Sequence, residues 1–166
     1  MQHKFPESEG ISKKSNSKRV AAKDYSAEEL EHLYLNKEKQ IYQPSSHLEG
    51  CMTKAATEFF IKGHKGKRYT ERVKAFVEVQ PTEIIHKVQD YHVDTRSVVI
   101  QRNRVLRRRP CFQKWGLEFQ ILIRDPEAVQ PSVLHEILEY GGRYIGIGDF
   151  RPKFGQFEIT KWEVKD

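Results

Sequence analysis

Hydrophobic residues recur at helical spacing in a segment that opens at Pro44 and closes before Gly63. Ser46 followed by Glu49 has the spacing of a capping box, in which each side chain bonds a free backbone N–H of the first turn. Gly63 suits the left-handed position that often follows a helix. We therefore predict a core helix here, with an apolar face made of Leu48, Cys51, Met52, Ala55, Ala56 and Phe59.

A second helical pattern begins at Pro131, which suits the first turn of a helix because its missing N–H is not needed there. Gly141 and Gly142 are expected to end this helix. A shorter helix is predicted at about 27–35, where Ser26 and Glu29 form another capping box. The apolar face of the second core helix consists of Val133, Leu134, Ile137 and Leu138.

Strand patterns lie between the two core helices. Apolar and polar residues alternate over 73–79 and again over 117–123, which is the period of a half-buried strand. The segment 91–100 is rich in β-branched residues and predicts a further strand. After the second core helix, Phe157 and Ile159 open a last strand pattern.

The predicted order of helix, three strands, helix, glycine-rich loop and strand is typical of an α+β fold with helices on one face of an antiparallel sheet. A ferredoxin-like arrangement is the economical choice. A chain of 166 residues is suited to one such domain, which we expect at 26–166. Residues 1–25 contain SKKSNSKR and almost no periodic apolar pattern, so we expect a flexible basic arm.

Positive charge is concentrated in particular segments of this chain. The formal net charge is +6, from 29 Lys and Arg against 23 Asp and Glu, so an excess must be local to attract an anionic partner. Five arginines in eight residues would place cations on both faces of a strand, where they cannot be buried. A second basic segment, GHKGKR, reads as an exposed loop. The candidate phosphate-binding cations are Arg102, Arg104, Arg107, Arg108 and Arg109 in the first segment and His64, Lys65, Lys67 and Arg68 in the second.

The arginine segment also has a purely structural interpretation. A solvated hairpin with charges that discourage edge pairing would need some of these arginines, although five exceed that need. Phe112 and Trp115 follow closely, so base stacking is a possible role for them. Trp115 before an alternating strand is nonetheless more often a core or rim aromatic.

A glycine-rich loop, GIGDFRPKFGQFEI, follows the second core helix. Gly146, Gly148 and Gly155 permit positive φ and close approach of another backbone to the main-chain N–H groups, which can hold phosphates. Arg151 and Lys153 add charge, and the arginine fork fits two phosphate oxygens. The alternative is that the glycines only make a tight connection between helix and strand.

Several classes of protein are disfavoured by the sequence. No apolar run reaches 18 residues and the start lacks a signal-peptide pattern, so we expect a cytoplasmic protein without a membrane span. The seven histidines are scattered, and Cys51 and Cys111 have no metal-ligand spacing. We therefore expect reduced cysteines, no metal and no cofactor. A catalytic role for Ser45, Ser46 and His47 is disfavoured because their adjacency at a helix start is explained by capping.

Three segments resemble one superfamily. YQPSSHLEGCMTKAA at 42–56 is similar to the segment that opens the first helix of the repeat-associated mysterious proteins (RAMPs), which bind RNA in CRISPR effector complexes. LHEILEYGGRYIGIGDFRPKFGQFEI at 134–159 resembles their C-terminal helix and glycine-rich loop. SVVIQRNRVLRRRPCFQKWGLEFQILI at 97–123 resembles the strand pair of the backbone-subunit branch. Together the resemblance covers about 42–164, in the same order.

The resemblance implies a ferredoxin-like (RRM-like) fold whose glycine-rich loop and first-helix start contact the backbone of single-stranded, guide-like RNA. It also implies assembly with other subunits or further copies. The superfamily begins with a strand before the first helix, and the sequence shows no such pattern, so the start is trimmed or a partner supplies that strand. The residues that match the two motifs are Gly146, Gly148, Arg151 and Gly155 in the loop and Ser45, Ser46 and Lys54 in the helix.

Catalytic branches of the superfamily match less well. Target-cleaving subunits use an aspartate just before the first helix, and NKEKQIYQPSS contains none. The guide-processing endoribonucleases use a histidine, for which His47 and His32 are the local candidates. We therefore expect a non-catalytic RNA-binding protein similar to a minimal effector backbone subunit. An endoribonuclease that uses His47 or His32 is one alternative, and a phage-type mimic that binds an effector complex through protein contacts is another.

Overall fold

The computed structural model describes residues 33–100 and 102–165. Across these residues the chain alternates helices and antiparallel strands, so the predicted α+β class is confirmed. In chain order the elements are β1 (Tyr42–Pro44), α1 (Ser45–Ala55), a 3₁₀ turn (Ala56–Glu58), α2 (Thr70–Phe76), β2 (Val77–Gln80), β3 (Glu83–Ile85), β4 (His92–Ile100), β5 (Asn103–Cys111), β6 (Gln120–Ile123), α3 (Pro131–Tyr140) and a π-helical turn (Gly141–Ile145).

Within the described ranges the strands form three separate two-stranded sheets. β1 pairs with β3, β2 with β6 and β4 with β5, all antiparallel. The ferredoxin-like sheet stays a prediction, because no described ladder joins these pairs into one sheet. The strand predicted at 91–100 is confirmed as β4, and the one predicted at 117–123 is confirmed only over Gln120–Ile123, as β6.

The core lies between α1, α3 and β2. Leu48 and Met52 of α1 and Leu134 and Ile137 of α3 are fully buried and share one cluster with Val79 of β2. Phe59 and Val133, which also belong to the predicted apolar faces, are partly buried against this cluster. Helical spacing therefore identified both core faces correctly.

The start of α1 differs from the prediction. Pro44 occupies the cap position with no side-chain cap, so the capping box of Ser46 and Glu49 is not formed. β1 runs directly into the helix, which places Ser46 already inside the first turn. The Oε1 atom of Glu49 instead accepts a hydrogen bond of 3.0 Å from the backbone N–H of Val79. Glu49 thereby connects α1 to β2.

The strand predicted at 73–79 was wrong in its first half. Thr70–Phe76 is helical, and only Val77–Gln80 is a strand. Tyr69, Val73 and Phe76 all pack on the core, and their i, i+4, i+7 spacing is that of one helical face. The apparent alternation arose because exposed Ala75 resembles an inward-facing strand position.

The second core helix ends at Tyr140 as predicted, but the chain then continues through a π-helical turn. Gly142 lies against Phe157, whose N–H donates to the Gly142 carbonyl oxygen at 3.1 Å, and a Cβ at Gly142 would overlap Phe157. The strand predicted to start at Phe157 and Ile159 was wrong, since described residues 156–165 join no ladder. Both side chains nevertheless pack on the core.

The N-terminal predictions fall mainly outside the described residues. The basic arm at 1–25 and most of the helix at 27–35 lie there. Leu35, at the end of that predicted helix, instead forms an antiparallel bridge with Ile41. The intervening turn is held by Asn36, whose Oδ1 accepts hydrogen bonds from the N–H groups of Glu38 and Gln40. This turn leads into β1, a strand before α1 that the sequence did not predict.

Candidate nucleic-acid interface

The glycine-rich loop is closed at its base by two glycines. The Ile147 N–H donates to the Gly155 carbonyl oxygen at 2.9 Å. Gly146 and Gly155 both have positive φ, at 72° and 76°. A Cβ at Gly146 would lie 2.8 Å from the Gly155 oxygen, and one at Gly155 would overlap the Ile147 oxygen. The close approach that these two glycines permit is therefore between the two ends of the loop itself.

Gly148 has a different environment. Its φ is 88°, and a Cβ there would meet no atom of the described residues within 4 Å, so the space beside it is open on this side of the fold. The chain then makes one turn in which the Phe154 N–H donates to the Phe150 oxygen at 3.0 Å. Arg151 and Lys153 are exposed on this turn. Of the three loop glycines, Gly148 alone keeps an accessible backbone beside the predicted cations.

The arginine-rich segment forms strand β5 and packs its base against the loop. Arg109 Nε lies 2.8 Å from Asp149 Oδ2. From β4, the guanidinium of Arg96 lies 5.3 Å and 4.8 Å from the ring centroids of Phe150 and Phe154. Arg96 Nε is in turn 2.6 Å from Asp94 Oδ2. The β4–β5 hairpin and the glycine-rich loop, which are distant in sequence, thus meet at one surface.

The β4–β5 hairpin has two distinct faces. Opposed pairs Asp94–Arg109 and Arg96–Arg107 share the face toward the loop, which we call the inner face. Opposed pairs Thr95–Arg108 and Val99–Arg104 share the outer face. The predicted arginines are therefore divided between two surfaces, so a single strand of nucleic acid lying along one face would not contact them all.

The exposure of these arginines differs in part from the prediction that none of them is buried. Arg102 and Arg104 are exposed as predicted, with Arg102 at positive φ next to the hairpin tip. Arg107, Arg108 and Arg109 are half-buried, because long aliphatic stems can lie along the protein surface while the guanidinium keeps polar partners. Asp149 is such a partner for Arg109. The prediction that none of this segment could be buried was therefore wrong.

The start of α1 lies beside the glycine-rich loop. Burial lowers the pKa of His47, the nearby Arg151 charge lowers it further, and Asp149 opposes both effects. The Nδ1 atom of His47 hydrogen-bonds Gln43 Nε2, and the Tyr34 ring contacts the imidazole edge-on at 5.4 Å. The start of α1 and the glycine-rich loop both contain residues predicted to contact RNA. They lie close enough for charges on the loop to act on His47 of the helix.

Cys51 and Lys54 extend this environment along α1. Burial raises the pKa of the Cys51 thiol to about 11, opposed by Arg151, by a hydrogen bond from the Gly146 backbone and by Lys54. Lys54 is therefore on the loop side of the helix, exposed to solvent. Ser46 is also exposed, whereas Ser45 is only 8% exposed. Of the predicted helix contacts, Ser46 and Lys54 are accessible to a ligand and Ser45 is largely covered.

The basic loop at 62–68 lies beyond the other end of α1. His64, Lys65, Lys67 and Arg68 are exposed, as predicted. Arg68 donates to the Thr57 carbonyl oxygen and lies 4.3 Å from the ring centroid of Phe60. An 11-residue helix is about 16 Å long. These cations therefore form a second basic surface, separated from the loop site by the length of α1.

The aromatics proposed for base stacking have other neighbours. Phe112 stacks on His86 at 4.8 Å, and Trp115 contacts Phe157 edge-on at 6.2 Å. Sequence reasoning missed Phe150 and Phe154, which occupy the exposed surface instead. The sequence pattern that could have identified them is FRPKF, in which two aromatic residues four positions apart flank two cations.

Known proteins offer no guide to this arrangement, since no family model, curated protein or solved structure matched the chain. Among residues 33–100 and 102–165, no group of three or more His, Cys, Asp and Glu side chains could hold a metal ion. Over the same ranges, no helix has the length and apolar character required to cross a bilayer.

Proposed function

We propose that the protein binds single-stranded RNA without cleaving it, through the glycine-rich loop, the start of α1 and the base of the β4–β5 hairpin. In this proposal Gly148 admits the sugar-phosphate backbone, and Arg151 and Lys153 contact phosphates. Lys54 and Ser46 extend the contact along α1. The exposed Arg102 and Arg104, farther along the hairpin, provide longer-range attraction, because nearby positive charge raises the rate and strength of polyanion binding.

One observation carries this proposal: Asp149 lies among Arg109, Arg151 and His47, which come from three separate parts of the chain. A folded chain avoids gathering cations unless an anion compensates them. Here one exposed carboxylate accompanies two arginines, beside the His47 ring. The remaining positive charge, next to an open backbone at Gly148, is suited to phosphate.

A more specific proposal follows from the resemblance of the sequence to the RAMP superfamily. The chain would be a RAMP-like subunit with a ferredoxin-like sheet, bound to guide-like RNA together with other subunits or copies of itself in the cytoplasm. What supports it is the proximity of the α1 start to the glycine-rich loop, the same two segments that resemble the superfamily.

The direct test is binding of the full chain to a labelled single-stranded RNA across a salt series. Each phosphate contact should contribute about 0.7 to the log–log salt slope. Sequencing nucleic acid that co-purifies with the protein would distinguish a guide-like RNA from other RNA or single-stranded DNA. A salt slope near zero between low and physiological salt would contradict the electrostatic basis of the proposal.

A second function is favoured by one specific contact. His47 has a lowered pKa, so its imidazole is largely neutral near pH 7, and Arg151 lies close enough to contribute to that shift. A neutral imidazole next to a phosphate-binding cation is the arrangement required for metal-independent cleavage of RNA. Incubation with RNA in excess chelator tests it. Cleavage products that disappear in a His47→Ala protein would replace our proposal with this one.

A further inference from the structure

Phe150 and Phe154 form an exposed aromatic surface on the glycine-rich loop. They lie four residues apart in one turn, with ring centroids 5.6 Å apart and planes inclined by 34°. Phe150 is 36% exposed and Phe154 is 38% exposed. Together the two rings form a small exposed apolar patch that a flat ligand could cover.

Three basic residues accompany these two rings. Arg151 and Lys153 lie between the two phenylalanines in sequence and are exposed on the same turn. Arg96 lies close to both rings and is the residue through which β4 contacts the loop. The surface thus combines a flat apolar area, a planar guanidinium and two phosphate-compatible charges, which together match the parts of one nucleotide.

We propose that Phe150 and Phe154, with Arg96 beside them, form a stacking site for an unpaired nucleobase of the bound RNA. The inference rests on the proposed function, since it assigns the base contact that accompanies the phosphate contacts of the same loop. Phenyl rings offer no hydrogen-bonding groups to base edges, so the site accepts any base and selects for single strands. A guanidinium plane can extend the same stack.

A purely internal role for the rings makes different predictions. If they served only to hold Arg96 and thereby the hairpin, the bound RNA would gain nothing from its bases at this site. An RNA and an abasic sugar-phosphate chain of equal length and charge would then bind equally. If the rings stack on a base, the abasic chain should bind more weakly at every salt concentration.

The first experiment uses the unmodified protein and therefore does not depend on the folding of a variant. Affinities are measured for an adenosine-rich RNA and for an abasic chain with the same number of phosphates. We expect the abasic chain to bind about fivefold or more weakly, the lower end of what one base–aromatic stack provides. Equal affinities would overturn the stacking site while leaving phosphate binding intact. No binding of either chain would overturn the proposed function and this inference together.

The second experiment locates the effect. A Phe150→Leu, Phe154→Leu protein keeps apolar side chains of similar volume but loses the aromatic planes. Phe60→Leu is the matched control, because Phe60 is also exposed and also lies under an arginine, Arg68. We expect the double variant to bind RNA and abasic chain equally, and the control to keep the preference. A 2-aminopurine base in the RNA should lose fluorescence with the unmodified protein and regain it with the double variant. A preference that survives in the double variant would contradict the assignment to these rings.

Discussion

Arg109 Nε lies 2.8 Å from Asp149 Oδ2, so an ion pair joins strand β5 to the glycine-rich loop. The Asp149 side chain is 64% exposed, and its charge also acts on His47. The carboxylate therefore occupies a position among cations that a phosphate oxygen of bound RNA could take. In the proposed complex it would compete with that phosphate for Arg109.

Asp149→Asn should therefore strengthen RNA binding. The amide removes one negative charge from the site and releases Arg109 to contact phosphate. We expect an affinity gain of about fivefold at low salt, equivalent to about 1 kcal/mol for a partly exposed charge, and a smaller gain at physiological salt.

The control for this change is Glu163→Gln, which removes the same charge from a carboxylate paired with Lys161 at 2.9 Å. Filter binding or fluorescence anisotropy with one labelled RNA compares the two proteins. If Asp149→Asn weakened binding, the carboxylate would be needed to position Arg109, and the competitor interpretation would be wrong.

Arg151→Ala should weaken RNA binding with little change in stability. A charge-assisted hydrogen bond to phosphate contributes roughly 1.5–3 kcal/mol, which predicts a loss of about tenfold or more. Arg124→Ala is the matched control, because Arg124 is an equally exposed arginine that pairs with Glu78 away from the loop. RNA affinity and thermal midpoint are measured for both. Equal affinities of the Arg151 and Arg124 variants would show that removing any surface arginine has the same effect.

Substitution of Gly155 should lower the stability of the protein more than substitution of Gly148. Gly155→Ala places a Cβ on the Ile147 carbonyl oxygen, so the loop base must open, and we expect a loss of more than about 2 kcal/mol of unfolding free energy. Gly148→Ala meets no neighbouring atom and incurs only the cost of a positive φ, about 1 kcal/mol. Thermal unfolding of the two variants distinguishes them. Similar midpoints would mean that the loop base adapts to a Cβ at Gly155, and that its close approach to Ile147 is not essential for stability.

RNA affinity of a Gly148→Val protein gives a second test of the role of this loop. A branched side chain, as in Gly148→Val, fills the open space beside the backbone and should reduce binding by more than the accompanying loss of stability explains. Unchanged affinity of a folded Gly148→Val protein would remove the backbone contact from the proposal, leaving the cations and the aromatic rings.

Local patterns predicted those parts of the fold that local spacing determines. Leu48 and Met52, and likewise Leu134 and Ile137, recur at helical spacing, and each pair is buried where that spacing requires. Val73 was assigned to a strand because a seven-residue segment fits both periods, and only packing against α1 decides between them.

For the candidate site, the sequence indicated residue types but not their arrangement in space. Arg151 and Gly148 were identified from charge and glycine content, and both are accessible. The contacts of Arg96 with Phe150 and Phe154 depend on how the hairpin folds back onto the loop, which no local pattern encodes. The division of the arginines between two faces likewise depends on the β4–β5 register.

Stability should decrease on mild acidification because of His86. This ring is 6% exposed and stacks on Phe112, and among residues 33–100 and 102–165 its Nδ1 has no hydrogen-bond partner. Burial lowers its pKa below the ordinary value of 6.5. The unfolded chain therefore binds a proton near pH 6.5 that the folded protein still excludes. The stabilising contribution is complete above pH 6.5 and is lost as pH falls from there toward the folded-state pKa.

Thermal midpoints at pH 7.5 and pH 5.5 for the unmodified protein and for His86→Phe test this expectation, since the phenyl ring keeps the stack and cannot titrate. The lowered pKa of His47 acts in the same direction, so a His47→Gln protein is measured beside them. Arg124 lowers the pKa of Glu78 and Lys87 lowers that of Glu118, so these carboxylates titrate below this range. We expect a smaller acid-induced decrease of the midpoint in His86→Phe than in the unmodified protein. Equal decreases would assign the acid sensitivity to other groups.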